Sequence, residues 1–164
     1  MKTAETLEVT TPTEREIVMT RSFDAPRRLV FDAWTKPELV KRWLLGPPGW
    51  TMPVCEIDLK VGGRYRYVWR NQEGTEMGLG GVHLEIEAPE RIVSTQLFDE
   101  DWTGGETVVT LVLTERDGKT TVTETVLYSS REVRDAALKT GMADGVGTSF
   151  DRLEALLAEP SASA

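Results

Sequence analysis

Apolar residues change their spacing along the chain in a way that separates strands from helices. In the stretch REIVMTRSF, residues 15 to 23, Ile17, Met19 and Arg21 alternate with Val18, Thr20 and Ser22, the two-residue period of a strand. The period then lengthens. Val30, Ala33 and Trp34 recur at i, i+3 and i+4 behind Pro26, which a first helical turn tolerates, so a short helix follows. Thr35 and Glu38 are spaced like a capping box, with Pro37 in the first turn of a second short helix whose stripe is Leu39, Val40, Trp43 and Leu44. The GPPG at 46 to 49 ends it, because proline removes backbone donors and glycine supplies turn dihedrals.

Six further segments return to the short period: 50 to 59, 63 to 70, 79 to 88, 90 to 98, 106 to 115 and 120 to 128. Between them stand KVGG, NQEG, APE, DEDWTGG and RDGK, and connections this short predict neighbouring antiparallel strands. Tyr65, Tyr67 and Trp69 share one face while Arg64, Arg66 and Arg70 share the other, so the sheet has a dry side that needs a cover. Residues 130 to 159 supply it. Leu138, Met142, Val146, Ser149, Leu153 and Leu156 advance by three or four residues, as on one amphipathic helix roughly 40 Å long, with Ser129 and Ser130 as its N-cap region. Gly141, Gly145 and Gly147 fall inside that helix and disfavour it by roughly 1 kcal/mol each. Close packing on the sheet would offset them; the other reading is local bending, or space left for a ligand.

The class predicted is α+β: about seven antiparallel strands, two short helices between the first and second, and a long C-terminal helix. One domain is expected over 15 to 157, with 1 to 14 and 158 to 164 as flexible tails.

Composition narrows the partners. Lys and Arg total 19 against 27 Asp and Glu, a net charge of -8, which argues against nucleic acid and anionic membranes. The chain opens without an apolar leader and holds no run near the roughly 18 apolar residues of a membrane span, so a cytoplasmic setting is expected. Cys55 is the sole cysteine; mid-strand and without basic neighbours, it reads as a small buried hydrophobe rather than a nucleophile. His83, the sole histidine, falls opposite Val82, Leu84 and Ile86 and is expected on the wetter face. No metal is expected from so few nitrogen and sulfur ligands, and no motif asks for a cofactor.

Two polar residues stand on otherwise apolar strand faces. Glu124 shares a face with Val122, Val126 and Tyr128, and Gln96 lies between Ile92 and Phe98. If those faces point inward, both groups need partners or water and the carboxyl pKa rises. On an edge strand, Glu124 would simply hold its head in solvent.

The order of elements resembles the helix-grip fold of the START-like (SRPBCC) superfamily. The blocks RSFDAPRRLVFDAWTKPELVKRWLLGP, CEIDLKVGGRYRYVWR, GGVHLEIEAPERIV and GMADGVGTSFDRLEALL are similar to the branch named after activators of the ninety-kilodalton heat-shock protein ATPase, over about 16 to 157. That resemblance implies a curved sheet wrapped around the last helix, with a hydrophobic cavity between them. The eukaryotic co-chaperone of this branch has a further, N-terminal chaperone-binding domain, for which no counterpart is expected here.

The resemblance places Trp34, Trp43 and Trp50 at one end of such a cavity. Tyr65, Tyr67 and Trp69 would line it from the sheet, and Met142, Val146 and Ser149 from the helix, with Gln96 and Glu124 as polar anchors. The tryptophans serve equally as ordinary core. Trp102, in the acidic loop, is a candidate gate. No catalytic residue is assigned. The leading expectation is binding of an apolar, aromatic or lipid-like small molecule. The alternatives are a chaperone-regulating module in stress response, and a cyclase or hydrolase using the same cavity. A homodimer through an exposed strand or the short helices is also compatible.

Overall fold

A computed structural model describes residues 6–100 and 105–159. Its strands are β1 Glu8–Thr10, β2 Glu16–Phe23, β3 Thr51–Ile57, β4 Arg64–Arg70, β5 Glu76–Glu87, β6 Arg91–Phe98, β7 Thr107–Arg116 and β8 Lys119–Leu127. Helices α1 Arg27–Thr35 and α2 Pro37–Trp43 link β2 to β3, and α3 Arg131–Lys139 and α4 Met142–Leu157 follow β8. The sheet is antiparallel throughout and runs β1-β2-β8-β7-β6-β5-β4-β3. This is the α+β helix-grip arrangement, and the hairpin-sized connections from β3 to β8 produce its meander.

Three details differ from the pattern reading. The strands number eight rather than about seven: β1, within the stretch read as a tail, pairs Val9 with Met19 on β2. Its three exposed residues carry no alternation to betray it. The long C-terminal helix is two helices. Thr140 ends α3, donating its backbone amide at 3.1 Å and its hydroxyl at 2.6 Å to Ala137 O, and Gly141 then takes φ +78°, a left-handed conformation that stops a helix. Thr35 caps nothing either; it is the last residue of α1, and its hydroxyl donates to Phe31 O at 2.9 Å inside that helix. Ser130, by contrast, does cap α3, accepting from the Val133 amide at 3.1 Å.

The C-terminal half of α4 closes the main core. Phe150, Leu153 and Leu156 pack with Phe23, Trp43, Leu113 and Val122, and Phe150 meets the rings of Phe23 and Trp34 edge-on at 5.6 Å each. A second apolar group, Val40, Met52, Tyr65, Trp69 and Leu79, joins α2 to β3, β4 and β5. Arg21 is the exception on the buried face of β2. Its guanidinium reaches Asp151 of α4 at 2.7 Å and lies 5.2 Å from the Phe23 ring. No helix among the described residues is long and apolar enough to cross a membrane.

Candidate functional site

The N-terminal half of α4 does not seat on the sheet as its C-terminal half does. Met142, Gly145, Val146 and Ser149 instead border a cavity of about 440 Å³, whose floor is the inner face of β4 to β8 and whose end wall is α1, α2 and the turn after them. Side chains at Gly145 and Gly147 would meet nothing nearer than Pro47 Cδ at 3.7 Å and Leu7 Cδ2 at 4.0 Å, so tight packing on the sheet does not require glycine there. Of the lining residues, Pro47 and Met77 are exposed, which marks where the cavity opens.

All eleven residues singled out from the sequence border this space, in two different conditions. Several have their polar atoms committed to the fold. Trp43 is fully buried and donates Nε1 to Ala33 O at 2.9 Å; Trp69 donates Nε1 to Leu44 O at 2.7 Å; Tyr65 donates its hydroxyl to Thr95 O at 2.7 Å. Ser149 accepts from the Gly46 amide at 2.8 Å. These groups build the wall. Trp34, stacked edge-on against Trp43 at 4.6 Å, and Trp50 are partly buried and keep apolar surface toward the space, as do Met142 and Val146. The carboxyl of Glu124, the amide of Gln96 and the hydroxyl of Tyr67 have no side-chain or backbone hydrogen-bond partner among the described residues.

Glu124 sits near the middle of the sheet, not at its edge. On β8 it lies between Met19 of β2 and Leu111 of β7, because β2 returns to pair with the last strand and covers it. Burial pushes its carboxyl up to about 7. Burial, with the Glu124 charge nearby, raises the phenols of Tyr65, Tyr67 and Tyr128, the last to about 12. Cys55 is likewise pushed up, to about 11, mainly by burial, which keeps it an unreactive thiol.

The structure corrects the reading of His83. It is buried, borders the cavity, stacks on Tyr65 at 5.3 Å and shares a hydrogen bond with Ser94 Oγ through Nδ1 at 2.9 Å. The cause is a bulge. The β5 to β6 register pairs His83 with Ser94 but Glu85 with Val93, so Leu84 is the extra residue and the alternation flips across it. Leu84 is consequently 45% exposed, while His83 shares the inner face with Leu79 before it and Ile86 after it. Burial lowers the imidazole pKa, against an opposing pull from Asp58, and its Nε2 is buried without a partner.

Residues 24–158 match the family model described as Activator of Hsp90 ATPase homolog 1-like protein. The chain belongs to that family. Among solved structures, this AHSA1-like protein is similar to a protein from Rhodobacter sphaeroides at 33% identity, with a TM-score of 0.88 over 93% of this chain and 98% of that one. A protein from Arthrobacter aurescens is 28% identical, with a TM-score of 0.80 over 94% and 92%. One from Nitrosomonas europaea, 24% identical, shares the fold with a TM-score of 0.81 over 93% and 99%. No curated protein matches.

Beyond the eleven, the AHSA1-like cavity is also lined by Met19, Ser94, Phe98, Val109 and Tyr128. Tyr128 was detectable from the two-residue alternation it shares with Glu124 and Val126; His83 was hidden by the bulge. Trp102, the candidate gate, lies outside the described residues. Among the described residues, no three or more His, Cys, Asp or Glu side chains converge as metal ligands would.

Proposed function

We propose that this AHSA1-like protein is a binding protein for an apolar or aromatic small molecule held between the sheet and α4. The observation that carries this is the cavity itself: about 440 Å³ walled by aromatic, Met and Val side chains, with a few uncommitted polar groups aimed inward. That volume and that mix suit a ligand site better than a packing defect. The test is uptake of the neutral dye N-phenyl-1-naphthylamine, read by its fluorescence, in the wild type and in Val146→Trp, which fills the space. Binding that is saturable and lost in the filled variant supports the reading. A dye that never binds, or binds equally to both proteins, overturns it.

Glu124 favours a second reading. A carboxyl shifted toward neutrality beside an apolar cavity is equipped to pass a proton, as a cyclase or hydrolase requires. Glu124→Gln would then abolish turnover in a protein that still folds. The family name alone carries a chaperone-regulating role, for which the measurement is co-purification with an Hsp90-type chaperone.

A further inference from the structure

The cavity is asymmetric in charge. Among the described residues its lining contains one carboxyl, Glu124, one imidazole, His83, whose pKa burial lowers, and no lysine or arginine. Two arginines come near without joining the lining: Arg21 is turned to α4, where Asp151 and Glu154 lie 2.7 and 3.5 Å from its nitrogens, and Arg152 is committed to the Gly46 carbonyl at 2.7 Å. An anionic ligand would therefore find no fixed counter-charge among the described residues, only the acidic group of Glu124 and an imidazole whose neutral form burial favours. A fatty acid or another carboxylate would be repelled or would have to bind protonated.

A cation meets the opposite surroundings. The rings of Tyr65, Tyr67 and Trp69 run in sequence along β4, with centroids 5.2 and 5.9 Å apart, and Trp34 and Trp50 border the same space. Aromatic faces attract a desolvated ammonium, and a carboxylate without a hydrogen-bond partner among the described residues supplies its counter-charge. From this arrangement we propose that the ligand is an aromatic or otherwise apolar amine, its ammonium group against Glu124 and its apolar part among the β4 and tryptophan rings. This rests on the small-molecule reading above and adds the chemical class.

An ammonium beside Glu124 stabilises the carboxylate and returns its pKa downward. Near neutral pH the amine enters already protonated and the proton held by Glu124 leaves to solvent, so binding releases up to one proton.

The probes are three molecules sharing one apolar group: 2-(1-naphthyl)ethylamine, 2-(1-naphthyl)ethanol and 1-naphthaleneacetate. Each is titrated calorimetrically at pH 8 and in competition with N-phenyl-1-naphthylamine. The amine is expected to bind at least about tenfold more tightly than the alcohol, and the carboxylate at least about tenfold more weakly. In Glu124→Gln the amine-to-alcohol ratio falls toward one, whereas Glu124→Asp, which keeps the charge, retains part of it. Carboxylate binding as tight as amine binding, or an amine-to-alcohol ratio unmoved by Glu124→Gln, overturns the amine assignment and leaves the cavity reading standing. Failure of the dye itself to bind overturns both.

Discussion

Ser149 on α4 accepts a hydrogen bond from the backbone amide of Gly46 at 2.8 Å, and Arg152 one turn later donates to the Gly46 carbonyl at 2.7 Å. Both backbone polar groups of one residue in the turn after α2 are thus held by the last helix, at the place where the cavity has its end wall.

Ser149→Ala leaves that amide without its partner in a site where the serine is only 2% exposed. A loss of roughly 1–2 kcal/mol is expected. For a chain of this size it appears as a fall in Tm of about 2–8 °C, measurable by calorimetry.

Glu124 should make stability fall as pH rises. Its folded pKa, about 7, lies above the ordinary 4.5, so between those values the folded state holds the proton more firmly than the unfolded state. Stabilisation is complete below about 4.5, declines to about 7 and is flat above it. The full decline is up to about 3 kcal/mol. His83 acts in the opposite sense below about 6.5, because burial lowers its pKa, while Tyr65, Tyr67 and Tyr128 stay protonated throughout. Urea unfolding of wild type and Glu124→Gln at pH 5 and pH 8 isolates the carboxyl, since the other groups are common to both. Parallel pH profiles would refute a raised folded-state pKa at Glu124.

Two glycine-to-alanine changes should have opposite signs. At Gly81 a Cβ would lie 1.9 Å from Thr95 O and 2.9 Å from Tyr65 Cε1, with the Tyr65 hydroxyl itself bonded to that oxygen, so neither neighbour can give way. Gly81→Ala is expected to cost more than about 3 kcal/mol. Gly145, inside α4 with its nearest contact at 3.7 Å, gains helix propensity, and Gly145→Ala should stabilise by up to about 1 kcal/mol. Thermal melts of the two variants decide both.

Arg21 tests how a buried charge is tolerated. Its side chain is 1% exposed and its nearest acid, Asp151, is 68% exposed, so much of the attraction is screened by water. Removing both Asp151 and Glu154 as alanines strands the guanidinium, for an expected loss of roughly 1–2 kcal/mol. Adding Arg21→Met to that background should recover most of it, as followed by urea unfolding.

Most of the architecture was written in the period of the apolar residues. The seven strands from β2 to β8, the two short helices and the turn at 46 to 49 each follow from alternation, helical spacing or turn chemistry. What escaped depends on how distant segments meet. The position of Glu124 turns on β2 pairing with β8, which no local pattern encodes; seen alone, β8 could have been an edge. The face of His83 depends on one inserted residue, Leu84, whose apolar side chain makes the flipped stretch look regular. Ser149 was expected only as a lining residue of the last helix; that its oxygen serves the Gly46 amide depends on a distant turn that no local pattern encodes. The break at Gly141 was visible as a glycine, but only the backbone dihedral shows that this one, and not Gly145 or Gly147, ends a helix.

The strand order also shapes how the chain can fold as it is made. β3 to β8 are joined by short turns and can zip locally as they emerge, but Glu16 of β2 must wait for Leu127 of β8 before it has its neighbour. The edge of β2 that pairs with β8 therefore stays open until nearly the whole domain has left the ribosome, and closing that one long loop is expected to be slower than forming the local hairpins.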